Sequence, residues 1–252
     1  MSTIIPKGLH RGVTLPATVA ALAFLLTLVL PDWGMPGPAS HAAPLISSLA
    51  ADAAGTAPLF GMDTEPVADG DLSAKWRRVA VDLTRDFQAM AECHTNGPCS
   101  AAAQRLLGLS AEGAGRNGRA RVGLINRAVD LAIAPATDEA QWGVPDHWSD
   151  PLETLQSGRG DCEDYAIVKY VALLEAGFSR NDVKIIVLKN LFPDEDHAAV
   201  AVRVDGQWLI LDNRTLTLVQ DTDVTRTIPL FVLDQTGVRR FVRVDRNRRA
   251  AS

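Results

Sequence analysis

The chain predicts an α+β fold in which helices come first and an antiparallel sheet follows. Apolar residues recur every three or four positions from residue 71 to residue 133. After residue 183 the period falls to two, and the pair Asp205-Gly206 separates two of the alternating runs. Helices followed by strands, instead of strict βα alternation, place the helices on one side of a sheet built from hairpins.

The first stretch stands apart from the fold. Lys7 and Arg11 precede the apolar run LPATVAALAFLLTLVL at 15–30, and a Pro/Gly-rich stretch ends in GPASHAAP. A basic flank, an apolar core and small residues at a boundary describe a secretory signal peptide over residues 1–42, with Ser40 and Ala42 as the small pair at the cleavage site. The alternative is an uncleaved membrane anchor, since the run is nearly long enough to span a bilayer; in both cases the rest of the chain is exported and expected in the periplasm. Residues 43–71, rich in Ala, Gly, Pro and Asp without sustained periodicity, read as a linker or lead-in, leaving residues 72–252 as one domain.

Helical spacing begins at Asp71 and Ser73, with Trp76, Val79, Leu83, Phe87 and Met90 on one face. SAAAQRLLGL reads as a second short helix, GAGRNGR at 113–119 breaks the pattern, and Val122, Ile125, Val129 and Ile133 resume it. TDEAQWGVPDHWSDPLETLQSGRG reads as a long turn-rich connection, and a helix is expected from Cys162 to Ala176, ended by Gly177. VKIIVLKN (183–190), HAAVAVRV (197–204) and QWLILDN (207–213) read as strands.

Charge and cysteine usage narrow the function. The 25 basic and 30 acidic residues give −5, and −6 without residues 1–42. An acidic surface argues against nucleic acid as the main partner. The arginine-rich segment 239–252 is the local exception and reads as a solvated terminus. Cys93 and Cys99 flank an Asn-Gly-Pro turn and are expected to pair in an oxidising compartment, the alternative being two free thiols. Pairing leaves Cys162 as the odd thiol, a candidate reactive group.

Cys162 follows Asp161, a good N-cap, and precedes Glu163 and Asp164; Asp164 at the third helical position completes a capping box. A thiol at a helix start benefits from free backbone N–H groups and the helix dipole. Gly158 and Gly160 before it are read as keeping bulk away from an approaching substrate. The Asp205-Gly206 turn sets Val204 opposite Gln207, Val202 opposite Leu209 and Val200 opposite Leu211. In that register His197 and Asp212 share a face as diagonal neighbours within side-chain reach. Each residue alone has a structural reading, as a buried small residue, a strand-start histidine or a turn aspartate. Together they form a Cys162–His197–Asp212 set of nucleophile, base and orienting acid. The backbone N–H of Cys162 is the expected oxyanion donor, with a second from the 141–157 connection, Trp148 being the candidate.

GRGDCEDYAIVKYVALLEAG, a histidine opening a strand and WLILDN closing the hairpin resemble the bacterial transglutaminase-like cysteine peptidases. Trp76, GLINRAVD and DHWSDPLETLQSG fit the same pattern, so the resemblance spans residues 72–235 and is most specific over 151–175. The resemblance implies a papain/transglutaminase-like core and a Cys-His-Asp triad. It also implies Ca²⁺ dependence, with Asp161, Glu163 and Asp164 at the matching positions. The substrate it implies is a large surface adhesin cut near its N-terminus to control biofilm attachment, and the partner an inner-membrane receptor that responds to cyclic di-GMP. Calcium would account for three carboxylates beside a thiol, since a dication reverses a field that otherwise disfavours the thiolate; without it the acids only cap the helix. Two other readings keep the fold: a transglutaminase-type acyl transferase using the same triad, and a non-catalytic binding module. A zinc site lacks ligands.

Overall fold

The computed structural model describes residues 57–243. The expected signal segment, residues 43–56 of the lead-in and the terminal arginines after residue 243 lie outside the described residues.

Strand β1 (Asp63–Val67) precedes three helices, α1 (Asp71–His94), α2 (Ala101–Ala111) and α3 (Gly118–Ala132). The apolar spacing of α1 buries Trp76, Val79, Leu83 and Met90, with Phe87 half-buried beside them. A disulfide joins Cys93 to Cys99 and closes the loop between α1 and α2. Ser100 caps α2 by accepting from Ala103 N at 3.1 Å. The expected turn-rich connection instead contains β2 (Ala134–Pro135), α4 (Asp138–Trp142), α5 (Pro151–Ser157) and β3 (Arg159–Gly160). Its two short helices are made by their caps: Thr137 accepts from Ala140 N, and Asp150 accepts from Glu153 N with Pro151 at the first turn.

Helix α6 (Cys162–Glu175) is buried on nearly every side from Asp164 to Leu173, not on a single stripe. It lies between the other helices and the inner face of the sheet formed by β4 (Val183–Leu191), β5 (Asp194–Val204), β6 (Gln207–Leu211), β7 (Val219–Gln220), β8 (Thr227–Asp234) and β9 (Gly237–Val242). With β1 these make seven strands in the order β1-β9-β8-β4-β5-β6-β7, every neighbouring pair antiparallel. The β5–β6 register pairs Val204 with Gln207, Val202 with Leu209 and Val200 with Leu211, as the turn dictates. Asp205 and Gly206 both take positive φ, at 50° and 79°, the requirement of a two-residue turn that matches strand twist. Val200, Val202 and Leu209 face α6, while Ala199, Ala201 and Ile210 line the outer face. Among the described residues no helix is long and apolar enough to cross a membrane.

Two expectations are corrected here. Residues 57–71 are part of the fold: β1 pairs with β9, and Leu59 is buried on the outer face of the sheet. Trp208 Nε1 donates to Ala57 O at 3.1 Å and Phe60 N donates to Asp221 at 2.7 Å. Arg239–Val242, expected to be solvated, belong to β9, where Arg239 donates to Thr64 Oγ1 at 2.8 Å and to Thr64 O at 2.7 Å. An edge strand carrying Pro66 and mixed charge shows no alternation in sequence, because its pairing comes from a partner far along the chain.

The connection that carries α5 is tied to α1 by a carboxyl pair. Asp86, 2% exposed, accepts from Leu152 N at 3.1 Å. Its neighbour Asp150 binds Arg85 at 2.8 Å. Burial, and then the charge of Asp150, push Asp86 up to about 7. An unfolded aspartate loses its proton near about 3.9, so the native state binds the extra proton between these values. Unfolding free energy therefore falls as pH rises through this window. Urea unfolding at a series of pH values should show this decline in the wild type and a flatter profile in Asp86→Asn; parallel profiles would contradict it.

Candidate active site

The site is assembled where α5 hands the chain to α6. Gly158, with φ at 65°, ends α5, its N–H bonding Thr154 O at 2.8 Å. Arg159 and Gly160 then pair in parallel with Ala134 and Pro135, which fixes the direction of the chain before Asp161. Asp161 is the N-cap and Cys162 the first helical residue. Asp164 turns back and is fully buried, accepting from Asp161 N at 3.4 Å and Ser149 N at 3.0 Å. Gly160 serves this packing, not substrate approach: a Cβ there would lie 2.6 Å from Asp164 Oδ2 and 2.7 Å from its Cβ.

The thiol of Cys162 donates to Glu163 Oε2 at 3.2 Å and accepts from Ala198 N at 3.4 Å. Burial first, then the Glu163 charge, push its pKa up, which favours the thiol over the thiolate. His197 is 2% exposed; its Nε2 meets Asp212 Oδ1 at 2.9 Å, and its Nδ1 is buried without a hydrogen-bond partner. Burial alone would push Asp212 up, but the hydrogen bond and charge of His197, with Arg214 N at 2.9 Å, hold it below the ordinary carboxylate range. Cys162 and His197 both line a cavity of about 380 Å³, with Trp148, Val187 and Phe231 as apolar walls and Asp71 and Asp196 also lining it. The structure thus brings Cys162, His197 and Asp212 together. The Trp148 ring also faces Lys75, whose Nζ lies 6.0 Å from the ring centroid. The remaining described histidines are engaged elsewhere, His94 with Glu175 at 2.5 Å and His147 with Glu153 at 3.1 Å.

The carboxylate set differs from the expected one. Asp138, Asp161 and Glu163 each present an oxygen within 4.8 Å of the others, whereas Asp164 spends its oxygens on backbone N–H groups. Asp138, the first residue of α4, also accepts from His147 N at 2.5 Å. Asp161 Oδ1 is buried without a partner. Burial, and then Asp161, push Glu163 up to about 8. Oxygen-only, anionic and crowded, this set suits a hard divalent cation, with further oxygens needed to complete a calcium shell. Asp138 lies 23 positions before Asp161 and escapes a reading centred on Cys162; its only sequence signal is the helix-starting Thr137-Asp138.

Gly160→Ala should lower the unfolding free energy by about 2 kcal/mol, because Asp164 must give way. Gly108→Ala, in α2 with nothing within 4 Å of the new carbon, should instead raise it by about 0.5 kcal/mol. Equal effects in urea unfolding would contradict the packing described for Asp164.

No curated protein matches the chain. Legionella pneumophila LapG in a calcium-bound structure is 21% identical over 55% of this chain and 75% of that one, with a TM-score of 0.46. The same protein after EGTA treatment is 18% identical over 63% and 86%, with a TM-score of 0.49. The family model of the bacterial transglutaminase-like cysteine proteinases matches residues 96–237, more than half of the chain and a span that holds Cys162, His197 and Asp212. The chain belongs to that family of cysteine peptidases.

Proposed function

We propose that this protein is an exported, calcium-dependent cysteine endopeptidase with Cys162 as nucleophile, His197 as base and Asp212 as orienting acid. The observation that carries the reading is the free Nδ1 of His197, which lines one cavity with the Cys162 thiol while Nε2 is held by Asp212 at 2.9 Å. The S–H proton passes to Nδ1 as sulfur bonds to the scissile carbonyl carbon. The N–H of Cys162, without an intrahelical partner at the first helical position, donates to the developing oxyanion, and the Trp148 indole is the second donor. Collapse breaks the C–N bond, and His197 returns the proton to the leaving amine. Water then resolves the thioester, giving its proton to His197, and the released acid leaves the thiol regenerated. Asp212 keeps the imidazole in one tautomer and offsets its positive charge.

Asp138, Asp161 and Glu163 would hold the calcium ion. When bound, its double charge offsets the carboxylates that hold Cys162 as a thiol. The substrate is a large surface adhesin and the setting the periplasm, with cleavage controlling biofilm attachment under a cyclic di-GMP-responsive inner-membrane receptor. These follow from the family resemblance and from the export segment expected over residues 1–42.

Incubation with long, repetitive exported proteins of the same organism tests the reading. The wild type should release a discrete fragment, and Cys162→Ala and His197→Ala should lose at least about 10³-fold in rate. A chelator should stop cleavage and lower the melting temperature, calcium should restore both, and Asp138→Asn should need more calcium. Cleavage by Cys162→Ala would overturn the nucleophile; indifference to chelation would overturn the calcium assignment.

A further inference from the structure

Asp138 and Asp161 are carried by two chains that leave the ends of different helices. One leaves α3 at Ala132, the other runs out of α5, and they meet in the two-residue parallel ladder of β2 and β3. Ala134 N donates to Gly158 O at 2.8 Å and Ala136 N to Gly160 O at 2.9 Å. A parallel pair this short is weak on its own and needs anchorage outside itself to hold a fixed spacing.

Arg105 of α2 supplies that anchorage. Its Nη2 donates to Ala132 O, the last carbonyl of α3, at 2.5 Å, and its Nη1 donates to Leu155 O in the last turn of α5 at 3.3 Å. Helix ends leave such carbonyls without intrahelical partners, and a guanidinium fork serves two at once with a charge that suits both dipoles. The grip is symmetric along the sequence: Ala132 lies six residues before Asp138, and Leu155 lies six residues before Asp161. Tyr165 Oη of α6 donates to the next carbonyl, Ile133 O, at 2.6 Å, so the chain that carries Asp138 is held at two successive residues. The base of the grip is itself fixed, since Leu106 next to Arg105 is fully buried and Ser100 caps α2.

We propose that Arg105 is a positioning residue for the carboxylate set, its two-pronged grip on Ala132 and Leu155 fixing the distance at which Asp138 faces Asp161 and Glu163. The assignment rests on the calcium reading above. Charge and geometry act in opposite directions here, which separates them. Removing a cation from the protein favours a bound dication through charge alone, whereas releasing the two chains lets the oxygens drift from the spacing the ion requires. Weaker binding in an Arg105 variant therefore reports the grip.

The test compares wild type, Arg105→Gln, Asp138→Asn and the double variant in the full chain, by calorimetric titration with calcium chloride and, in metal-free protein, by amide hydrogen exchange. Arg105→Gln should bind calcium about tenfold more weakly. Added to Asp138→Asn it should cost less than about twofold more, because the ligand it positions is already gone. Without metal, the Ala134 and Ala136 N–H groups should exchange at least about tenfold faster in Arg105→Gln, with the β5–β6 amides unmoved. Calcium affinity at or above wild type, losses that multiply in the double variant, or exchange that is unmoved at Ala134 and Ala136 would overturn the proposal. So would exchange that rises equally across the whole fold, the mark of a merely stabilising cap. If the wild type binds no calcium, the calcium reading falls, and exchange at Ala134 and Ala136 alone decides the role of Arg105. Should Arg105→Gln not fold, Arg105→Lys replaces it with the same expectations, since an ammonium keeps the charge but lacks the fork.

Discussion

The packing of α6 against the inner face of the sheet is the constraint from which the site follows. The helix is apolar on nearly all sides and has one place to go, between α2, α3 and α5 and the valine face of β5. Once seated, its first residue cannot avoid the strand: the sulfur of Cys162 lies 3.4 Å from Ala198 N, one residue from His197. Buried apolar surface supplies the driving force, and the rigid end of a packed helix supplies the precision that nucleophilic attack requires.

Electrostatics then works against the nucleophile and for its partner. Glu163 holds the thiol proton in place at 3.2 Å, while Asp212 is kept ionised beside His197. Two carboxylates of one site thus have opposite effects, one pushed up to about 8 by burial and by Asp161, the other held down by a hydrogen bond to imidazole. For the proposed triad this is a resting arrangement, with His197 held by Asp212 and the thiol favoured over the thiolate. Relief requires lowering the negative potential of Asp138, Asp161 and Glu163, which the proposed calcium ion would do.

What was legible in the sequence was local. The Asp205-Gly206 turn and the alternating valines set the register that brings His197 and Asp212 to one side, and the Asp161 cap located the start of α6. What escaped depends on pairing across the chain. Strand β1 gains its hydrogen bonds from β9, and Asp138 meets Asp161 only because β2 pairs with β3. Asp164 was assigned with its neighbours as a metal ligand because sequence shows the charge but not that the side chain turns inward to Ser149. The buried Lys169–Asp130 pair is likewise invisible in sequence, because only the packing of α3 on α6 brings the two side chains together.

The central claim is that His197 activates Cys162 across the shared cavity. It is tested most directly by following iodoacetamide alkylation of Cys162 from about pH 5 to about pH 9 in calcium-containing buffer, in wild type and His197→Ala. Disulfide pairing of Cys93 and Cys99 leaves Cys162 as the free thiol. The account predicts a reactive wild-type thiol well below the pH at which an isolated cysteine ionises, and loss of that reactivity in the variant. Superimposable profiles would contradict it.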